Sequence, residues 1–232
     1  MRWVRRLVGV LLLPLCAAAA RTLWDLLVGL QVASPRLVSP AVASLAAGFL
    51  LWLAVYICLP RPVRSYVWAH ELTHALWAWL FGIRVLGIRV RKTSGAVTLS
   101  DSHFMVTLAP YFFPFYTVLA IAVYYLLGLF WHVEVLEFYW LGVVGFTWGF
   151  HVTFTLTSLA QRQTDIRDCG HLFSYTVIFL LNVLGVCAWV VLVSRAGLVD
   201  AAWTFARHAM HEVDVGARAV AWVARRVLAL MQ

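Results

Sequence analysis

Apolar runs separated by short polar or proline-containing links fill most of the chain. The first run, 7–30, reads as an imperfect membrane helix. It is interrupted by Arg21 and Asp25, which stand four apart and can pair on one helix face. The basic opening Met-Arg-Trp-Val-Arg-Arg followed by a short apolar stretch also fits a signal peptide, so a cleaved leader is the alternative. Ser34, Pro35, Arg36 and Pro40 break this helix. Residues 41–59 form a second, uninterrupted run, ended by Pro60-Arg61-Pro62. The third helix, 63–81, carries polar side chains among its apolar ones. It stops at Gly82, a residue suited to the left-handed turn after a helix.

Residues 83–102 change period. Ile88 and Val90 alternate with Arg89 and Arg91, Val97 and Leu99 with Thr98 and Ser100, around Thr93-Ser94-Gly95. Alternation of period two about a glycine-containing turn predicts a β-hairpin. Helical patterning returns over 103–131, where Pro110 and Pro114 predict a kink or break, and over 137–160. A polar link, 161–168, leads into a sixth run, 171–194. In the tail, 198–231, Arg207, His211, Asp214, Arg218 and Arg225 line one side of a helix. Trp203, Met210, Val213, Val220 and Val227 line the other, as in a helix lying at a membrane interface or packed on a bundle.

Composition agrees with this pattern. The chain is 63% hydrophobic and 12% charged, with mean hydropathy +0.87, far from a soluble domain. The expected fold is an all-α polytopic membrane protein. About six transmembrane helices are joined by one small β-hairpin after the third, and a C-terminal amphipathic helix follows. We expect a single integral membrane domain over 1–232. It comprises two N-terminal hydrophobic segments within 1–59, a core over 63–194 and an amphipathic tail over 198–232. The net charge is +8, with a single lysine, Lys92, among 18 basic residues. In such a chain this charge suits loops facing lipid headgroups, and no groove-reading motif supports nucleic-acid binding. The expected setting is a lipid bilayer, a bacterial inner membrane being inferred from small size and simplicity. Cys16, Cys58, Cys169 and Cys187 form no CxxC pair and read as packing residues.

The stretch that carries chemistry is His70-Glu71-Leu72-Thr73-His74. Histidines four apart share a helix face and can hold one metal ion, while Glu71, about 100° round the helix, can reach a water bound to it. Ionisable groups inside a membrane helix are costly, so their presence there is itself a functional signal. A zinc site needs a third protein ligand and an open position. The helix leaves the membrane at Gly82, and two further crossings return the chain to the same side at the link 161–168. The histidines lie roughly 12–18 Å below that side at helical rise. Asp165 is the favoured third ligand and Asp168 the alternative. His151 lies about 21 Å of helical rise before Asp165, too far to share the metal.

The residues 69–85, Ala-His-Glu-Leu-Thr-His-Ala-Leu-Trp-Ala-Trp-Leu-Phe-Gly-Ile-Arg-Val, followed by a hairpin, resemble the site-2 protease family of intramembrane zinc metalloproteases. Asp165 and Asp168-Cys169-Gly170, opening a span, resemble that family's second motif, without its Asn-x-x-Pro context and without a glycine directly after either aspartate. The resemblance implies a compact, divergent member with His70, His74 and one aspartate binding Zn2+ and Glu71 as the general base. Its substrate would be a membrane-spanning protein, unwound and paired along the hairpin edge before hydrolysis. The rival expectation is a transporter, or another metal- or proton-binding membrane protein without proteolytic activity.

Overall fold

The computed structural model describes residues 2–33, 40–194 and 197–230. The expected break at Ser34, Pro35 and Arg36 lies outside the described residues. In chain order the elements are α1 (Arg2–Ala33), α2 (Pro40–Cys58), α3 (Val63–Leu80), the strands β1 (Val85–Val90) and β2 (Gly95–Leu99), α4 (Phe104–Phe112), α5 (Phe115–Gly128), α6 (Glu137–Leu159), the short α7 (Thr164–Cys169), α8 (His171–Ser194) and α9 (Leu198–Leu230). They fall into two compact units: α1, α8 and α9 in one, and α2 to α7 with the hairpin in the other.

In the first unit α1 packs on α8 through small residues. Ala18 and Ala19 are fully buried, and Gly9 lies so close to Leu172 and Phe173 that an added Cβ would meet them at 3.0 Å. Arg21 and Asp25 do not pair with each other as expected. Arg21 Nε lies 2.9 Å from Glu212 Oε1, and His208 Nε2 lies 2.8 Å from Asp25 Oδ2. Both pairs of residues are four apart on their helices, so α1 and α9 present complementary rows, and an interhelical match displaces the local one. The amphipathic tail divides accordingly. Its first half packs on α1, while Val220, Val223, Val227 and Leu230 further on form an exposed stripe.

In the second unit α2 and α6 approach closely because both offer small residues at the contact. A Cβ on Gly48 would strike the Gly142 carbonyl, and one on Gly145 the Leu45 carbonyl. Beside this contact Trp52, Phe150 and Phe154 form a buried cluster. Hydrogen bonds from Trp52 Nε1 to Thr153 Oγ1 (2.8 Å) and between Tyr56 Oη and Thr157 Oγ1 (2.6 Å) fix the same two helices. Tyr66 of α3 stacks on Phe154 at 4.7 Å, which carries the packing across to the motif helix.

Helix α3 ends as expected at Gly82, with φ +69°. Ile83 N–H donates to Ala78 O (2.8 Å) and Gly82 N–H to Trp79 O (3.0 Å), the paired bonds of a Schellman cap. The two strands pair antiparallel, with Ile88 opposite Val97 and Val90 opposite Gly95, and the hairpin packs on α3. The helix expected over 103–131 is broken into α4 and α5, bent 77° from one another. Pro114 explains the break: it drives Phe113 to an extended conformation (φ −102°, ψ 105°) in which α4 cannot continue.

Three helical segments are long and apolar enough to cross a membrane, Trp3–Gly29, Pro40–Cys58 and His171–Val191, or four if α4 and α5 together make one broken span. By length and composition, then, three or four of the expected six stand out among the described residues. Helices α3 and α6 fall short in hydropathy because they carry polar groups: Arg64, His70, Glu71, Thr73 and His74 on α3, and Glu137, His151 and a run of threonines on α6.

The α2–α6 contact leaves no room for a side chain. Gly145→Leu is expected to cost roughly 1–3 kcal/mol and to lower the thermal midpoint of the detergent-solubilised protein. Gly185→Leu, where an added Cβ meets nothing within 4 Å, is the control and should change it little.

Candidate metal centre

The site begins with helical spacing on α3. Tyr66, His70 and His74 recur every fourth residue and so stand in one row. The two imidazoles are edge to face with centroids 4.9 Å apart. The third donor comes from α7, whose first turn places Asp165 against that row. Asp165 Oδ2 lies 3.5 Å from His70 Nε2 and 3.7 Å from His74 Nε2. One ligand atom from each of the three residues lies within 4.8 Å of the others, and all three residues are half-buried.

The far side of each donor is also held. His74 Nδ1 lies 2.8 Å from the Val106 carbonyl. A carbonyl only accepts, so Nδ1 carries a proton, and in the neutral ring the lone pair on Nε2 faces Asp165, the tautomer a metal requires. His70 Nδ1 lies 3.3 Å from Tyr66 Oη. The hydroxyl of Tyr111, on α4, donates to Asp165 Oδ2 at 3.0 Å. Two imidazole nitrogens and a carboxylate oxygen, converging from two elements with their outer atoms already bonded, suit zinc with a position left open.

Glu71 is 6% exposed and stands on the wall of a cavity of about 610 Å³ that also exposes His70, His74 and Asp165. The hairpin tip, Thr93 to Val97, forms part of the wall, and Arg61, Gln161 and Gln163 line it as well. Gly95 passes directly over Glu71, where an added Cβ would lie 2.5 Å from Glu71 Oε1. The absence of a side chain at 95 is what lets the hairpin backbone and the glutamate share this space.

The structure thus brings together His70, Glu71, His74 and Asp165. Asp168, one turn further along α7, does not join them. Its side chain is 68% exposed and pairs with Arg167 at 3.5 Å. His151 lies outside the donor group. With His70, Thr73 and Tyr116 it lines a separate small cavity of about 20 Å³. Sequence reasoning missed Tyr111, Val106 and Gly95. Tyr111 lies in an apolar run with no motif around it, Val106 contributes a backbone atom, and Gly95 read only as a turn residue. None of the four cysteines is disulfide-bonded, and three are buried, consistent with packing roles.

Residues 41–144 match the family model described as Peptidase M50B-like. This is the site-2 protease family, and the match is consistent with a divergent member. The segment includes the motif helix, the hairpin and α4, and ends before α7. No curated protein and no solved structure matches the chain.

Metal analysis of detergent-purified protein tests the donor set. The wild type should carry about one zinc per chain. His70→Ala and Asp165→Ala should lose it, and Asp168→Ala should keep it. Loss in Asp168→Ala with retention in Asp165→Ala would reverse the assignment of the third ligand.

Proposed function

We propose that this chain is a zinc-dependent intramembrane metalloprotease that hydrolyses peptide bonds of membrane-embedded protein substrates. The observation that carries the reading is the convergence of His70 Nε2, His74 Nε2 and Asp165 Oδ2 beside Glu71 on one cavity wall, in a chain similar to Peptidase M50B-like proteins. On this reading α3 and α6 also cross the bilayer, their polar groups turned toward the site and toward each other, and the whole chain acts as one integral membrane domain.

His70, His74 and Asp165 would hold a zinc ion, which when bound would supply a Lewis acid to acidify water and polarise a peptide carbonyl. The chain's own residues do the rest. Glu71 takes a proton from the attacking water as its oxygen bonds to the carbonyl carbon. The same carboxyl then delivers that proton to the amide nitrogen as the C–N bond breaks, leaving an acid and an amine. Val106 O accepts the hydrogen bond from His74 Nδ1–H, so that in the neutral ring Nε2 is free to bind the metal. Gly95 keeps the space Glu71 occupies.

An extended substrate segment has a place to lie. Each strand of a two-stranded sheet keeps one unpaired edge, and β2 residues Gly95, Ala96 and Val97 line the cavity. Backbone pairing there would present an unwound segment to Glu71. Arg61, Gln161 and Gln163 give the cavity polar groups suited to hydrating or binding exposed peptide bonds.

Two substitutions separate binding from chemistry. Glu71→Gln should keep about one zinc per chain and lose cleavage of a membrane-protein substrate reconstituted with it, by about 100-fold or more. Wild-type cleavage rates in Glu71→Gln would sink the mechanism. Gly95→Val forces Glu71 aside without touching a metal donor. It should lower cleavage at least about 10-fold at unchanged zinc content. Zinc or proton flux through proteoliposomes, with no proteolysis by the wild type, would replace the protease reading with a transporter.

A further inference from the structure

We infer that Tyr111 is the positioning residue for the third metal donor, holding Asp165 in the orientation that faces the two histidines. The inference rests on the proposed metal centre and deepens it. Tyr111 is fully buried on α4, and its hydroxyl donates to Asp165 Oδ2 at 3.0 Å. That oxygen is the one that stands 3.5 Å and 3.7 Å from the histidine nitrogens. The phenol ring also meets the His70 imidazole edge to face, with centroids 5.4 Å apart. One side chain therefore fixes a donor from α7 and braces a donor from α3.

The need for such a residue follows from the backbone. Asp165 is carried by a helix of only six residues, bounded by the link 160–163 and by Gly170, whose φ is +93°. A carboxylate there can rotate either oxygen, or neither, toward the histidines. A hydrogen bond from a neutral phenol to a carboxylate is charge-assisted and strengthened by the surrounding low dielectric. It selects one oxygen and one rotamer before a metal arrives, so less ordering remains to be done on binding. Tyr111 does not line the large cavity, so its hydroxyl acts through Asp165 rather than on a substrate. Helix α4 supplies both outer partners on this side of the site, the Tyr111 hydroxyl to Asp165 and the Val106 carbonyl to His74. The break at Pro114 has a use here: it lets α4 end against the donors while α5 leaves at 77°.

The test is the zinc dissociation constant of full-length protein in detergent, measured by competition with a chromogenic chelator. Thermal unfolding of the metal-free protein is recorded alongside. Tyr111→Phe keeps the ring and removes only the donor. It should weaken zinc binding about 10–100-fold while the metal-free unfolding midpoint stays close to wild type. Tyr116→Phe is the control: it removes a hydroxyl that bonds the Ser65 carbonyl and touches no donor, and it should leave affinity within about 3-fold. In an Asp165→Ala background Tyr111→Phe should have no further effect on the residual affinity, because its partner is gone. Tyr111→Met, which fills the space with a flexible side chain, gives a second reading should the bare ring not be tolerated. Wild-type affinity in Tyr111→Phe, or an equal loss with and without Asp165, would overturn the inference and leave the metal centre standing. No zinc on the wild type would overturn the metal centre itself.

Discussion

A carboxylate pressed against two imidazoles, in surroundings of aromatic and aliphatic side chains, is the arrangement on which the second unit turns. Helical spacing alone aligns His70 with His74, but nothing local brings Asp165 to them. That requires α6 to return the chain beside α3 and α7 to turn inward. The return depends on the bare surfaces of Gly48, Gly142 and Gly145, which let α2 and α6 touch backbone to backbone. It depends equally on the cluster of Trp52, Phe150 and Phe154, which stacks on Tyr66 one turn before His70. A path of direct contacts therefore joins the small-residue interface to the row of Tyr66, His70 and His74. Distortion at the interface is felt at the row because packed cores are stiff.

The same polarity that makes the site lowers the apolar character of α3 and α6. A helix that devotes one face to His70, Glu71, Thr73 and His74 gives up apolar character. The cost of placing such groups in hydrocarbon is relieved when they face one another rather than lipid. Charges in the first unit follow the same rule. Arg21 and Asp25 interrupt an otherwise apolar helix and are met by Glu212 and His208 of α9. In a chain with so few charged residues, those set within the apolar helix α1 are found opposite complementary ones on α9.

Much of this was legible from residue order. Gly82 announced the end of α3, alternation around Gly95 announced the hairpin, and the prolines announced the broken helix, because each is a local backbone effect. His70, Glu71 and His74 were legible for the same reason, a spacing fixed by helical geometry. Asp165 was narrowed to two aspartates by counting crossings, although the structure shows fewer helices of spanning character than that counting assumed. What separates Asp165 from Asp168 is the placement of α7, a tertiary fact with no local signal. Tyr111 and Val106 escaped for a stronger reason. A tyrosine in an apolar run and a backbone carbonyl look the same whether or not they hold a donor. The pairing of α1 charges with α9, nearly the whole chain away, was equally beyond a reading that looks three or four residues along a helix.

Charge balance gives a physical ground for the metal reading that does not depend on resemblance. Glu71 and Asp165 both stand on the cavity wall, one 6% exposed and the other half-buried. Two carboxylates brought together away from bulk water repel, and each carries a desolvation penalty of several kcal/mol. Neutral imidazoles do not cancel that charge, and His74 is committed by the Val106 carbonyl to present a bare nitrogen rather than a positive N–H at Nε2 if it remains neutral. A divalent cation among the three residues would offset both carboxylates at once and would use the nitrogen lone pairs that point at Asp165 in neutral rings. Protonating the histidines would offset the same charge at the expense of those lone pairs. The Val106 and Tyr66 contacts on Nδ1 and the Tyr111 bond on Oδ2 orient the donors for either state. On the proposed reading, a cation held there would also set a polarising centre beside Glu71, which is the condition a general base for peptide hydrolysis needs.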